Sequence, residues 1–201
     1  MIGGDMITYR PDIQVLDATI RDGGLVNDFY FTDEFVKALY EANLKAGVDY
    51  MEFGYKASKE MFDVEKFGKW KFCDEEAIRS IVGENNTEMK ISVMADVGRC
   101  DYKTDIIDRA DSVIDMIRVA TYINTMPAAI EMIEDAHAKG YETTCNIMAI
   151  SKQKNEFNYE KKCFQERNGI CIKYCSCSQH CAAIGNRINS KSCFGCKPGE
   201  E

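Results

Sequence analysis

Apolar positions change their period several times along the chain, and each change marks an element. From Ile13 to Arg21 they alternate. Leu16, Ala18 and Ile20 share one face of an extended segment, and Asp17, Thr19 and Arg21 share the other. From Thr32, a good N-cap, the period lengthens. Phe35, Leu39, Ala42 and Ala46 fall on one helical face, which Gly47 ends as a C-cap. Residues 48–55 read as a second strand, followed by a long polar and aromatic connection over 56–73 that includes Trp70. Asp74 is placed to cap a helix through Ile78 and Ile81, and residues 88–96 read as a third strand. Thr104 or Asp105 opens a short helix to Ala110, and 112–120 is a fourth strand. A helix over 124–139 turns Ala128, Met132, Ile133 and Ala136 inward, and after Gly140 a fifth strand spans 141–150.

Strands alternating with helices define an α/β chain with a parallel sheet. Two architectures fit, a doubly wound sheet and a (β/α)8 barrel. The first β-to-α connection carries Gly23-Gly24 and not the spaced glycines of a dinucleotide fingerprint.

Chemistry concentrates in the first strand. Two charges and a hydroxyl on one face of an early buried strand are costly unless paired or used. Arg21-Asp22-Gly23-Gly24 falls at the strand's C-terminal end, where barrels place catalysis and where glycines let the backbone turn sharply. A buried Arg–Asp pair closing the strand is the plain alternative.

Asp17-Ala18-Thr19-Ile20-Arg21-Asp22-Gly23 also resembles the D-x-T-[LI]-R-D-G signature of the metal-dependent aldolase and Claisen-condensation superfamily, the DRE-TIM metallolyases. Gly24 to Phe31 is most similar to the branch of 4-hydroxy-2-oxovalerate aldolase. The resemblance spans residues 13–160 and implies part of a TIM barrel, about five β/α units of it. It implies a C–C bond lyase acting on a 2-oxo acid or related small carbonyl compound, with a Claisen-condensing acyltransferase as the alternative reaction.

The same resemblance assigns roles. Asp22 becomes a ligand of a divalent metal (Mg²⁺ or Mn²⁺, or Zn²⁺) and Arg21 the group that stabilises an enolate. Asp17 and Thr19 orient Arg21 and the metal site, and Glu52 is a partner for the arginine. Arg118 and Asn146 lie near strand ends, where scaffold roles are common. Two departures stand out. The family's H-x-H metal ligands are missing, since His137 reads as an exposed helical residue and His180 has no neighbouring histidine. Leu25 occupies the neighbourhood where the aldolases carry a histidine base. Weak or no activity is therefore expected of this chain as it stands.

Composition changes the picture only towards the C-terminus. Three of ten cysteines (Cys73, Cys100, Cys145) precede residue 160, and seven follow it. Residues 160–201 hold seven Lys/Arg and four Asp/Glu, a net of +3; with −8 overall, −11 remains for residues 1–159. Two segments are expected, a barrel part over 1–160 and an irregular Cys-rich tail over 161–201 with no sixth strand. Cys193-x-x-Cys196 suits a zinc-stapled binding module, but the other spacings are ragged. A shifted reading frame or other truncating event starting between about 153 and 165 accounts better for the abrupt change.

The acidic balance disfavours nucleic acid, and no apolar run is long enough for a membrane span. No signal peptide is evident, which makes the cytoplasm the expected compartment. The partners expected are a small-molecule carbonyl substrate and, for the intact protein, a homo-oligomer. An open barrel piece also exposes sheet edge, so poor solubility or dependence on a partner is expected.

Overall fold

The computed structural model describes residues 13–149 and the strand residues 174–175. In chain order they form β1 (Leu16–Asp17), α1 (Thr19–Asn27), α2 (Asp33–Ala46), β2 (Tyr50–Tyr55), α3 (Glu75–Val82) and β3 (Lys90–Asp96). Then come α4 (Tyr102–Asp105), β4 (Met116–Thr121), α5 (Met126–Ala138), β5 (Glu142–Ile147) and β6 (Tyr174–Cys175). The order of strands in the sheet repeats their order in the chain, and every neighbouring pair is parallel. A doubly wound sheet reverses its strand order at a switch point. This one never reverses.

The sheet is curled. Neighbouring strands stand about 4.8 Å apart, so β2 and β5 would be roughly 14 Å apart if the sheet were flat. Yet the Tyr50 hydroxyl donates to Glu142 Oε2 at 2.7 Å, past the two strands between them. Arg118 Nη1 on β4 likewise reaches Glu52 Oε2 on β2 at 2.6 Å. Such contacts need a shared concave face. The architecture is thus the partial (β/α)8 barrel expected.

The convex face is the apolar core. Met51, Phe53, Ile91, Val93, Ile117, Val119, Cys145 and Ile147 are buried there, with Ile78 and Ile81 of α3 and Ala129, Met132, Ile133 and Ala136 of α5 in the same cluster. Each fully buried aliphatic or aromatic side chain contributes about 1.5–3 kcal/mol.

Several expectations are corrected. The first strand is only two residues long, and the chain is helical from Thr19, so Thr19 and Arg21 do not share a strand face with Asp17. The cause is local: Asp17 Oδ1 accepts from the Thr19 amide at 3.3 Å and Oδ2 from the Thr19 hydroxyl at 2.7 Å, closing a turn that starts the helix. Gly23 and Gly24 lie inside α1 and not in a turn. A Cβ on Gly24 would sit 2.1 Å from the Phe29 ring, so the missing side chain makes room for that ring. The chain turns instead at Asp28 and Phe29, with φ of 52° and 66°.

On α2 the Thr32 cap and the left-handed Gly47 are as expected, but the buried face is Val36, Tyr40 and Asn43. Phe35, Ala42 and Ala46 are exposed. On α5 Ala129 is buried in place of Ala128. α4 begins earlier than expected and β4 starts four residues later, at Met116. Tyr174–Cys175 adds a sixth strand beside β5 where none was expected. The other readings of the tail, its zinc spacing, its His180 and its altered frame, lie outside the described residues. Among the described residues no helix is long and apolar enough to cross a membrane.

Candidate active site at the strand ends

Strand alternation and the cross-sheet contacts put Tyr50 and Glu52 of β2, Lys90, Ser92 and Asp96 of β3, Arg118 of β4, and Glu142, Thr144 and Asn146 of β5 on the concave face. At its centre lies Glu52, with no exposed surface. Its Oε2 accepts from Arg21 Nε at 2.9 Å and from Arg118 Nη1 at 2.6 Å. Two guanidiniums thus share one carboxylate. Asp22 flanks them, its Oδ1 2.5 Å from Arg21 Nη1, with 59% of its side chain exposed.

Burial works against charge on Arg21, but the Glu52 and Asp22 carboxylates outweigh it and its pKa is raised. The guanidinium is a fixed cation. Tyr55, the last residue of β2, has its hydroxyl pKa raised by burial and pulled back by Arg21. Asp96, the last residue of β3, is raised by burial and pulled back by Arg99, Lys71 and Arg21.

Of the residues singled out in the sequence, Arg21, Asp22, Glu52 and Arg118 come together in one network. Asp17 and Thr19 bond to each other and fix the start of the helix that carries Arg21. Asn146 is buried on the same concave face, and its Oδ1 has no hydrogen-bond partner among the described residues. Glu52 Oε1, Ser92 Oγ and Thr144 Oγ1 share that state. Buried polar atoms are nearly always bonded, and these four, unpaired among the described residues, lie on the face that carries Glu52 and Arg118.

Among the described residues no three His, Cys, Asp or Glu side chains are grouped to hold an ion. Asp22 is present but already engaged by Arg21, and His137 is exposed on α5.

Sequence reasoning passed over Tyr55, Asp96 and Lys71. The first two were within reach, since both end strands correctly located and polar strand ends face the catalytic side of a barrel. Lys71 gave no signal. It sits in the connection after β2, on a turn of 3-10 helix over Lys69–Lys71, where the buried Trp70 packs on Phe53 with ring centroids 5.5 Å apart. Gly54 lets that turn approach, for a Cβ there would meet the Trp70 carbonyl oxygen at 1.9 Å.

No protein-family profile matches the chain. It is 26% identical over 144 residues to an oxaloacetate decarboxylase of Mycobacterium tuberculosis, an alignment covering 70% of this chain and 40% of the relative. It superposes on the crystal structure of the N-terminal domain of a candidate aldolase from Bacteroides vulgatus with a TM-score of 0.61. That match has 23% identity and covers 82% of this chain and 54% of the other. The chain thus spans well under two thirds of both proteins, and the structural likeness establishes the fold.

Proposed function

We propose that this chain carries the enolate-stabilising part of a carbon–carbon lyase that acts on a 2-oxo acid or a related small carbonyl compound. The observation that carries the reading is the buried Arg21–Glu52–Arg118 array at the C-terminal side of a barrel sheet, with Arg21 inside an R-D-G motif. Breaking a C–C bond beside a carbonyl leaves the electron pair on the carbonyl oxygen. A rigid guanidinium aimed at that oxygen stabilises the charge as it develops, and rigidity matters because the donor need not reorganise. Glu52 supplies it by gripping Arg21 and Arg118 together, and the Thr19–Asn27 helix fixes the backbone.

The similarity to an oxaloacetate decarboxylase supports the same chemistry. Decarboxylation of a β-oxo acid and retro-aldol cleavage both pass through an enolate. A divalent cation bound at Asp22 would add Lewis-acid polarisation of the substrate carbonyl. The described residues do not complete its ligand set, so no step above depends on it.

The test is pyruvate release by the full chain, supplied with Mg²⁺ or Mn²⁺, from oxaloacetate and from 4-hydroxy-2-oxo acids. Turnover that falls about 10²–10³-fold in Arg21→Gln is the expected result. Turnover indifferent to Arg21, or acyl-CoA condensation in place of cleavage, overturns the reading.

A further inference from the structure

Asp96 is a largely buried acid to which the lyase reading gives no role. It ends β3 on the concave face, and its side chain keeps 15% of its surface exposed. Among the described residues no hydrogen-bond donor meets its carboxylate. Its ion pair with the exposed Arg99 is a loose one, Oδ2 lying 3.9 Å from Nη1. Asp115, whose side chain is 17% exposed, shows the ordinary state of such a group. It accepts from the Ile91 amide at 2.8 Å and pairs with Arg109. Nor does the Asp96 carboxylate close the turn that follows it. The Arg99 amide donates to the Asp96 carbonyl at 3.0 Å, and the side chain takes no amide of that turn. The protein leaves this carboxylate unclaimed.

The register places it next to the arginine array. β3 pairs with β4 as Met94 with Arg118 and Asp96 with Ala120, and β4 pairs with β5 as Arg118 with Thr144 and Ala120 with Asn146. Asp96 therefore stands one concave row above Arg118 on the adjoining strand, about 6–7 Å further along it. Arg118 in turn shares Glu52 Oε2 with Arg21. In the row of Asp96 the middle residue is Ala120, so no large side chain stands between Asp96 and Asn146. Guanidiniums below and a free carboxyl in the next row suit the two ends of an enolate. Its oxygen needs a cation, and its carbon, two bonds away, needs a proton.

We propose that Asp96 is the proton carrier of the lyase, the group that gives a proton to the enolate carbon and removes it in the reverse direction. This rests on the enolate reading above and adds the acid that it lacks. With oxaloacetate, the C3–C4 bond breaks and CO2 leaves. The electron pair of that bond forms the C2–C3 double bond, and the carbonyl π pair moves to the oxygen that Arg21 stabilises. C3 then takes a proton from the Asp96 carboxyl as the carbonyl re-forms, and the carboxylate left behind regains a proton from water. Oxaloacetate and one proton become pyruvate and CO2, with no redox change. Burial raises the Asp96 pKa against the pull of Arg99, Lys71 and Arg21, and the Glu52 carboxylate adds to the rise. More of the acid form is held than an ordinary carboxylate keeps.

The experiment is exchange of the pyruvate methyl hydrogens for deuterium, followed by NMR in D2O with the full chain and Mg²⁺. The parent is expected to exchange them. Asp96→Asn should melt like the parent and exchange about 10²-fold more slowly or worse. In Asp96→Ala, added formate should restore exchange by supplying a carboxylate in place of the lost one. Exchange undiminished in Asp96→Asn overturns the proposal, as does a loss in Asp96→Ala that formate leaves unrelieved. Pyruvate release from oxaloacetate without methyl exchange sinks the proton carrier and leaves the lyase standing. Exchange that depends on Asp96, with no cleavage of any 2-oxo acid, does the reverse. A parent that does neither overturns both.

Discussion

The concave face has two polar ends built from the same strands, and they differ in how well their groups are satisfied. At the N-terminal end Glu142 accepts from the Tyr50 hydroxyl and pairs with Lys90, whose Nζ also lies 5.6 Å from the Tyr50 ring. Lys90 and Glu142 each keep 42% of their side-chain surface exposed. Two residues further along β2, Glu52 is wholly buried, holds two arginines on one oxygen and leaves the other without a partner among the described residues. The first cluster is closed and solvated, which suits a structural clasp. The second is desolvated and incomplete, a costly state that a protein keeps where the groups have other work.

That contrast can be broken by mutation. Glu52→Gln should have the largest effect, about 3–5 kcal/mol of stability lost in a denaturant melt, because two buried guanidiniums lose their shared charge. Arg21→Gln comes next. It leaves Glu52 its bond to Arg118, so its effect should fall on turnover, by the two to three orders of magnitude set out above. Glu142→Gln should cost only about 1 kcal/mol, since its ion pair is solvent-screened, and pyruvate release should not change. Ser92→Ala is the finest probe. Its hydroxyl makes no hydrogen bond among the described residues, so stability should stay within about 0.5 kcal/mol of the parent or rise. A drop of several kcal/mol would mean the Ser92 hydroxyl is satisfied after all.

Lys71 gives a slope and not a step. Its pKa is lowered from 10.5 in the folded chain, so the unfolded state binds the extra proton between the two values. Stability from this group is complete above the unfolded value and is lost as pH falls through the folded one. The stability of the parent relative to Lys71→Met, read from melts of both on the alkaline side of neutrality, should therefore rise with pH.

Periodicity located β2 and β3 well because each strand is buried on both faces and bounded by glycine, turn or helix signals. It failed at Thr19–Asn27, where a short alternation suits a strand as well as a helix start and the deciding bonds come from one side chain, Asp17. It also shifted the face of α2, since Phe35 and Val36 are equally apolar and tertiary packing, including that against α3, selects between them. In the site, Arg21, Asp22 and Glu52 were legible through a motif and a strand end. Arg118 was noted without a role because nothing in sequence shows that β4 curls back towards β2.

The sequence by itself determined the alternation of strands and helices, the motif at Arg21-Asp22 and the break in composition near residue 160, all of which are local properties of residue type and spacing. Only the tertiary structure decided that one carboxylate serves two arginines and that Lys71 lies among four rings. Those outcomes depend on the curvature of the sheet and the path of the connection after β2, which bring together residues 31, 66 and more positions apart.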